Sequence, residues 1–463
     1  MSGPDRSWTI APVLLWFCGG LAGALLVLDG DLDALADRLV QQREPPPAGA
    51  GASFAPAAVT VAEADPGKAD RPELPADKGD RSRVGALEDV CLEGVPAACK
   101  RWAMDGFYRA MADSKRGKLG RALRVSWYGD SVIAGDSMTA RLRSRLQRDL
   151  GDGGPGFVFI VPPHRFCLHE GITRSHRDEE WTSYAVSTVT HPDGMYGAGG
   201  ATAETYGAHA TIKVASGKVT NVELYYLAQK AGGTITVSAD GAEILRTETR
   251  ADRKTPSRAA ATIPGGAARF KLGFEKGRTR VFGLQLENAA GAVVDNLGIV
   301  SASVQNFGQR DAAHFASELG HRRADLVMIM LGANEATWLS PSDQDTRHYQ
   351  ARYEKLLDPV RKGRPDGACL VVSPTDTAEA RDGSYRSRPV IPVLVEAQRK
   401  AAQAKGCAFY STYDWMGGRG SAVKWHRSGL LGGDLTHLSV KGANKVADGL
   451  YEALMTGFQR HAP

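Results

Sequence analysis

Residues 125–131 read Val-Ser-Trp-Tyr-Gly-Asp-Ser: a strand of four residues, three of them large and apolar or aromatic, then a tight polar turn that ends on a hydroxyl. Directly downstream, Ser137–Leu150 sets Met138, Leu142, Leu146 and Leu150 at helical spacing on one face. Strand, loop and helix in that order make a strand-loop-helix unit. The rhythm returns at Leu326–Leu331 (LVMIML), Cys369–Ser373 (CLVVS) and Cys407–Tyr410, with helical stretches near Tyr349–Arg361, Pro392–Ala404 and Asn444–Gly457. Runs that are apolar at every position belong to strands buried on both faces, so the chain is expected to build an α/β domain whose parallel sheet is covered by helices on either side.

Between the first unit and the rest, about residues 155–295, the texture changes. Ala210–Ala215, Val219–Ala228, Thr234–Ala239, Arg269–Phe274 and Arg280–Glu287 alternate with period two, Phe270, Leu272 and Phe274 facing one way. Turns rich in Gly and charge punctuate them about every ten residues, which predicts an antiparallel β-sandwich, jelly-roll-like, inserted into the α/β domain. That leaves residues 85–154 and 296–463 as the two parts of the interrupted domain.

Further toward the amino terminus, Ala11–Leu28 carries no charge, and as a helix it would span roughly 27 Å, enough to cross a hydrocarbon core. Residues 8–28 are therefore expected to be a transmembrane anchor, the alternative being a cleaved export signal. Trp16 and Phe17 are too bulky for lipoprotein processing at Cys18. Arg6 and the amino terminus on one side, with Asp29, Asp31, Asp33 and Asp37 on the other, orient the bulk of the chain outward. Residues 43–83 are rich in Pro and Ala and nearly free of large apolar side chains, the composition of a disordered tether. Six cysteines suit an exported chain. Cys91 and Cys99 are close enough to pair, and Cys369 and Cys407 can pair if their strands are neighbours; buried thiols are the alternative in both cases. Fifty-seven Lys and Arg against 52 Asp and Glu leave a net charge of only +5 over 463 residues. No long basic cluster interleaves with aromatics, so nucleic acid is not an expected partner.

Three polar segments follow strands or precede the last helix: Gly129-Asp130-Ser131, Gly332-Ala333-Asn334-Glu335 and Asp434-Leu435-Thr436-His437. In open parallel sheets, ligands bind beyond the carboxyl ends of the strands, where these loops would meet. A serine hydroxyl needs a base to take its proton, and the base needs a carboxylate to hold its tautomer. Ser131 can supply the nucleophile, His437 the base and Asp434, three residues away, the orienting acid. The Asn334 amide, with backbone N–H groups such as that of Ser131, can stabilise an oxyanion.

With these segments in this order, residues 120–150 and 295–460 resemble the SGNH (GDSL-type) hydrolase family, whose fold is a flavodoxin-like three-layer α/β sandwich. The resemblance implies an ester hydrolase in which Ser131 attacks, the Asp434–His437 pair activates it and Asn334 contributes to the oxyanion hole, with no cofactor or metal. Glu335 stands where the family usually has Asp, a position that supports the loop. The block that usually supplies a Gly N–H to the oxyanion hole falls within Asn296–Ser301; Ser301 aligns with that Gly, and Gly298 is the fallback. A β-sandwich placed between the first two blocks resembles bacterial envelope carbohydrate esterases, peptidoglycan O-acetylesterases included. The implied substrate is an acylated, O-acetyl-bearing polysaccharide of the cell envelope, met by a catalytic region anchored in the cytoplasmic membrane and exported. Two alternatives stand beside it: an O-acyltransferase acting on an envelope glycan, and a non-catalytic glycan-binding or scaffold protein.

Other motifs read as structural. Gly135-Asp136-Ser137 repeats the letters of the first block but follows no strand, and is placed to cap the next helix. Gly151–Gly156 matches a dinucleotide fingerprint in letters only, since Pro155 and Gly156 would break the helix it needs. His164, His169, His176, His191 and His209 fit no zinc spacing. Trp181, Tyr184, Tyr196 and Tyr206 could form a sugar-stacking face or pack the sandwich core.

Overall fold

The computed structural model describes residues 83–381 and 383–461. The anchor expected at 8–28 and all but the last residue of the tether expected at 43–83 lie outside them. Among the described residues no helix is long and apolar enough to cross a membrane.

Seven strands form the central sheet: β1 (Arg83–Val84), β2 (Leu87–Glu88), β3 (Leu123–Gly129), β4 (Ala292–Gly298), β5 (Leu326–Met330), β6 (Ala368–Val372) and β7 (Ala408–Tyr410). Their spatial order is β1-β2-β7-β6-β5-β3-β4. From β4 to β7 every pairing is parallel. Counted from β3, the parallel strands follow the flavodoxin order, with the switch point between β3 and β5. The sheet is mixed and not wholly parallel, because β2 joins the β7 edge antiparallel and β1 folds back on β2. Strands of two residues carry no periodicity from which this could be read. Arg83, expected to end the tether, pairs with Glu88.

The main helices are α1 (Asp105–Lys115), α2 (Ser131–Ala134), α3 (Ser137–Leu150), α4 (Ala312–Arg322), α5 (Asp343–Gly363), α6 (Ile391–Ala404) and α7 (Val440–His461). Alternate residues of each strand enter different cores. Val125, Trp127, Met328 and Leu370 pack with Phe107 of α1, Leu142 of α3 and Leu450 of α7. Tyr128, Val327, Ile329 and Val371 pack with Phe315 of α4, Leu357 of α5 and Leu394 of α6. Removal of these side chains from water on both faces is what makes the strands read as unbroken apolar runs.

Two antiparallel sheets follow α3 in the chain, one of five strands and one of six, and successive strands pass back and forth between them. Ile212, Ile235, Val237, Phe270 and Leu272 of the first sheet meet Val222, Leu224, Leu284 and Leu286 of the second in one core. The outer face of the second sheet is covered as well: Tyr225, Leu227 and Phe282 belong to the core that holds Tyr128 and Phe315. The insertion ends earlier than the expected boundary at 295, since β4 begins at Ala292 and lies in register beside β3. The signal that hid it is Asp295, a fully buried carboxylate inside the strand, which accepts from Ser126 Oγ (2.7 Å) and pairs with the buried Arg322 guanidinium (2.7 Å). Cys91 is bonded to Cys99 and Cys369 to Cys407; the second bridge links neighbouring strands β6 and β7. Cys167 is a buried free thiol.

Candidate active site

Ser131 is the first residue of α2, immediately beyond β3. The short helix lies close across the strand ends because two strand-terminal glycines leave room for it. A Cβ on Gly129 would come within 2.3 Å of Ile133 Cγ1, and one on Gly298 within 2.2 Å of the Ala134 nitrogen. Asp130 caps the helix, its Oδ1 accepting from the Val132 N–H (2.9 Å). Burial pushes the Asp130 carboxyl up to about 6, against the stabilising pull of that N–H and of His437. The N–H of Ser131 is one of the donors that a helix start leaves without an intrahelical acceptor.

His437 and Asp434 lie on one loop ahead of α7. The Ser131 hydroxyl is 2.7 Å from His437 Nε2, and His437 Nδ1 is 2.6 Å from Asp434 Oδ2. A carboxylate accepts only, so Nδ1 carries the ring proton and Nε2 is left to accept from Ser131. Asp434 Oδ1 also accepts the backbone N–H groups of His437 (2.9 Å) and Thr436 (3.0 Å). Burial acts to raise Asp434, but these donors and the imidazole hold its carboxyl below the ordinary carboxylate range. The loop reaches this shape by holding Leu435, a bulky residue, at φ +59°, a conformation that costs an L-residue about 1–2 kcal/mol. The Leu435 side chain is buried, and its carbonyl accepts from the Ala378 N–H (3.0 Å). Both members of the dyad face solvent, His437 at 48% and Asp434 at 54% side-chain exposure, so the site is open enough for a large substrate.

The candidate oxyanion donors come from the ends of β4 and β5. Asn334 Nδ2 donates one hydrogen to the Ala302 carbonyl (2.8 Å), which fixes the amide and leaves its second hydrogen available. Ser301 is exposed and sits at φ +61°, the left-handed conformation in which a glycine would be at home. Gly298 does not serve as the fallback donor: its N–H is committed to Asn296 Oδ1 (3.1 Å), and it is wedged against Ala134. Glu335 is buried, and its Oε1 accepts from the N–H of Val304 (2.7 Å), so Asn334 and Glu335 together hold the segment that directly follows Ser301. Burial pushes Glu335 up to about 7.

The second Gly-Asp-Ser is not a cap of the expected kind. Asp136 has φ +62° and makes no capping bond; its buried carboxylate pairs with Arg143 (3.1 Å) and accepts from Glu170 N–H (2.5 Å). The histidines of the insertion are spread out, His169 lying buried between the carbonyls of Glu170 and Pro155 and His191 paired with Asp193. Among the described residues no group of three or more His, Cys, Asp or Glu side chains is placed to hold a metal ion. The four aromatics of the insertion do not share a face: Trp181 packs edge-on against Phe274, Tyr184 against His191, Tyr196 is buried and Tyr206 is exposed.

Two exposed aromatics near the site carried no signal in the sequence. Trp338, 52% exposed, follows Asn334 by four residues, and Phe166, 54% exposed, belongs to a loop of the insertion. That loop is held against α2 by the Leu168 N–H, which donates to the Ala134 carbonyl (2.9 Å).

Residues 265–445 match the GDSL-like Lipase/Acylhydrolase family, a span that holds Asn334, Asp434 and His437 but not Ser131. Among solved structures, a peptidoglycan O-acetylesterase superposes with a TM-score of 0.65 at 23% identity, over 76% of this chain and 95% of that one. A salicylyl-acyltransferase from a tetracycline biosynthetic pathway (TM-score 0.28, 12% identity, 62% and 95% of the two chains) is also similar. So is a family two carbohydrate esterase from Clostridium thermocellum (0.25, 12%, 60% and 98%). No curated protein matches the sequence. The flavodoxin-order sheet agrees with both findings: residues 265–445 carry the GDSL-like lipase/acylhydrolase match, and the chain shares the fold of the O-acetylesterase.

Proposed function

We propose that this protein is a serine esterase of the GDSL-like kind that removes O-acetyl groups from a cell-envelope polysaccharide. The observation that carries the reading is the hydrogen-bonded chain from Ser131 through His437 to Asp434, with spans of 2.7 and 2.6 Å. Ser131 Oγ attacks the acetyl carbonyl as its proton passes to His437 Nε2, and Asp434 stabilises the imidazolium that forms. The N–H groups of Ser131 and Ser301 and the free Asn334 amide hydrogen receive the developing oxyanion. Collapse of the tetrahedral adduct expels the sugar oxygen, which takes the proton from His437. Water then attacks the acyl carbonyl by the same route, giving up its proton to His437, which returns it to Ser131 Oγ as acetate leaves.

The exposure of the dyad favours water as the acceptor, and hence hydrolysis over acyl transfer. A polysaccharide is supported by the open site, by exposed Phe166 and Trp338 on neighbouring loops, which suit stacking on sugar rings, and by the activity of the peptidoglycan O-acetylesterase that shares the fold. The insertion, read as a jelly-roll module, contributes the loop of Phe166, which is tied to α2 through the Leu168 N–H. Export, with residues 8–28 as the membrane anchor, belongs to the same proposal, and the two disulfides support an oxidising compartment.

The test is Ser131→Ala, assayed by acetate release from O-acetylated peptidoglycan and by hydrolysis of a chromogenic acetyl ester. Turnover is expected to fall by about 10⁴ to 10⁶, with the fold intact by circular dichroism. A variant that hydrolyses both at the wild-type rate would falsify the assignment.

A further inference from the structure

We propose that the cleft between α4 and α5 is a binding site for a medium-chain carboxylate, an anion carried on an apolar body, separate from the hydrolytic site. Its cavity of about 360 Å³ has an apolar lining that includes Phe307, Phe315, Leu356 and Pro359, and Arg310 is part of the wall. That size and composition suit a small organic ligand with one polar end.

Arg310 points to the charge of the occupant. It is only 8% exposed, yet among the described residues no carboxylate pairs with it. Its Nε donates to the Phe307 carbonyl (3.1 Å), while Nη1 is buried without an acceptor. Three rings surround the guanidinium, Phe315 at 3.4 Å, Phe307 at 4.6 Å and Tyr128 at 5.7 Å from its carbon to their centroids. Aromatic faces attract a cation but accept no strong hydrogen bond, so Nη1 stays unsatisfied. Every other fully or nearly buried arginine among the described residues, Arg143, Arg280 and Arg322, has a carboxylate within 3.1 Å.

The mouth has the same sign. Lys355 and Lys362 line it, are exposed, and make no ion pair among the described residues, while the only acid of the lining, Asp358, is held by Lys405 Nζ at 2.7 Å. A carboxylate offers two oxygens to a guanidinium fork, and the apolar lining calls for a hydrocarbon body behind it. Phosphate or a bare acetate would leave that lining wet, and an alcohol of the same length would leave the guanidinium unpaired.

The test is isothermal titration of the full chain with octanoate, and with octanol, octylamine and acetate as probes lacking one feature each. Octanoate is expected to bind with one-to-one saturation, and the other three at least about tenfold more weakly, the equivalent of losing one charge-assisted contact or the apolar body. Arg310→Gln is expected to abolish the preference for octanoate over octanol. Because Arg310 is buried, two exposed changes provide an independent check: Ala313→Trp, which fills the mouth, and the pair Lys355→Glu with Lys362→Glu. Each is expected to weaken octanoate about tenfold or more, with hydrolysis of a short acetyl ester unchanged. Octanoate binding that is absent, or that is unaffected by all of these substitutions, overturns the proposal and leaves Arg310 as a purely structural cation.

Discussion

Ser301 shows at the scale of one residue how backbone shape and side-chain identity separate. Its φ of +61° is the conformation a glycine adopts freely, and here a serine holds it. If its proposed contribution to the oxyanion hole lies in the N–H, Ser301→Gly should leave kcat/KM within about twofold. The same change should alter stability by less than about 1 kcal/mol, since release of left-handed strain is offset by the greater freedom of glycine in the unfolded chain. A drop of tenfold or more in kcat/KM, with stability unchanged in urea titration, would instead assign the hydroxyl a part in the reaction. Asn334→Ala is expected to be far more damaging, lowering kcat by about 10² to 10³ with KM nearly constant, because its amide is called on only when the oxyanion forms. Equal losses in kcat and in substrate binding would show that Asn334 merely holds its loop through Ala302. Letters mislead at the same scale in Asp136, where a Gly-Asp-Ser resembles a cap and folds into a buried pair with Arg143. Nothing local to residues 135–137 announces a partner seven residues away that turns inward instead of toward solvent.

Glu335 acts between elements, joining the end of β5 to the turn that follows β4. Its Oε1 accepts the Val304 N–H, and its Oε2 is buried without a partner. The carboxyl lies at about 7 in the folded chain against an ordinary value of 4.5, so the native state holds the extra proton between these values. The associated stability is complete below about pH 4.5 and is lost as the pH rises through 7. By the size of the shift it amounts to roughly 3 kcal/mol. Glu335→Gln keeps an acceptor for Val304 and cannot ionise, so its Tm should fall less between pH 5 and pH 8 than that of the wild type. Identical pH slopes in thermal unfolding would show that Glu335 does not titrate in this window. The buried strands β5, β6 and β7 were legible because nothing interrupts their apolar runs, β3 because Val125, Trp127 and Tyr128 flank a single small Ser126 ahead of the polar turn, and the three polar segments because they follow those strands or precede the last helix. Of the strands that were not legible, two escaped for opposite reasons. In β4 the buried Asp295 breaks the run, and its partner Arg322 lies on α4, beyond any local pattern. In Thr255–Ala267, Pro256, Pro264 and two glycines spell turns, yet the segment is an edge strand paired only to Val219–Ala228, where a missing N–H is tolerated.

For the whole molecule the question is whether the insertion is a module or part of the α/β domain. Interrupted domains often tolerate removal of the guest when the interface is polar and small. Here the second sheet of the insertion shares a core with the α/β domain: Phe157, Tyr225, Leu227 and Phe282 are fully or nearly buried with Tyr128, Phe307 and Phe315. Buried ion pairs cross the same boundary. Glu287 meets both Arg124 (2.7 Å) and Arg322 (2.6 Å), and Arg258 meets Glu318 (2.5 Å). Removing one partner from such a pair leaves an uncompensated charge, at a cost of about 3–5 kcal/mol. The two parts should therefore unfold together, in a single calorimetric transition whose van't Hoff and calorimetric enthalpies agree. Replacement of residues 159–280 by a short glycine-serine link should give an insoluble or molten product, because it strips the cover from Tyr128 and Phe315, and Tyr128 lies three residues before Ser131. Two separated transitions in the intact chain, or a soluble excised core that still hydrolyses an acetyl ester, would make the insertion a dispensable module and would remove the Phe166 loop from the active site's essential walls.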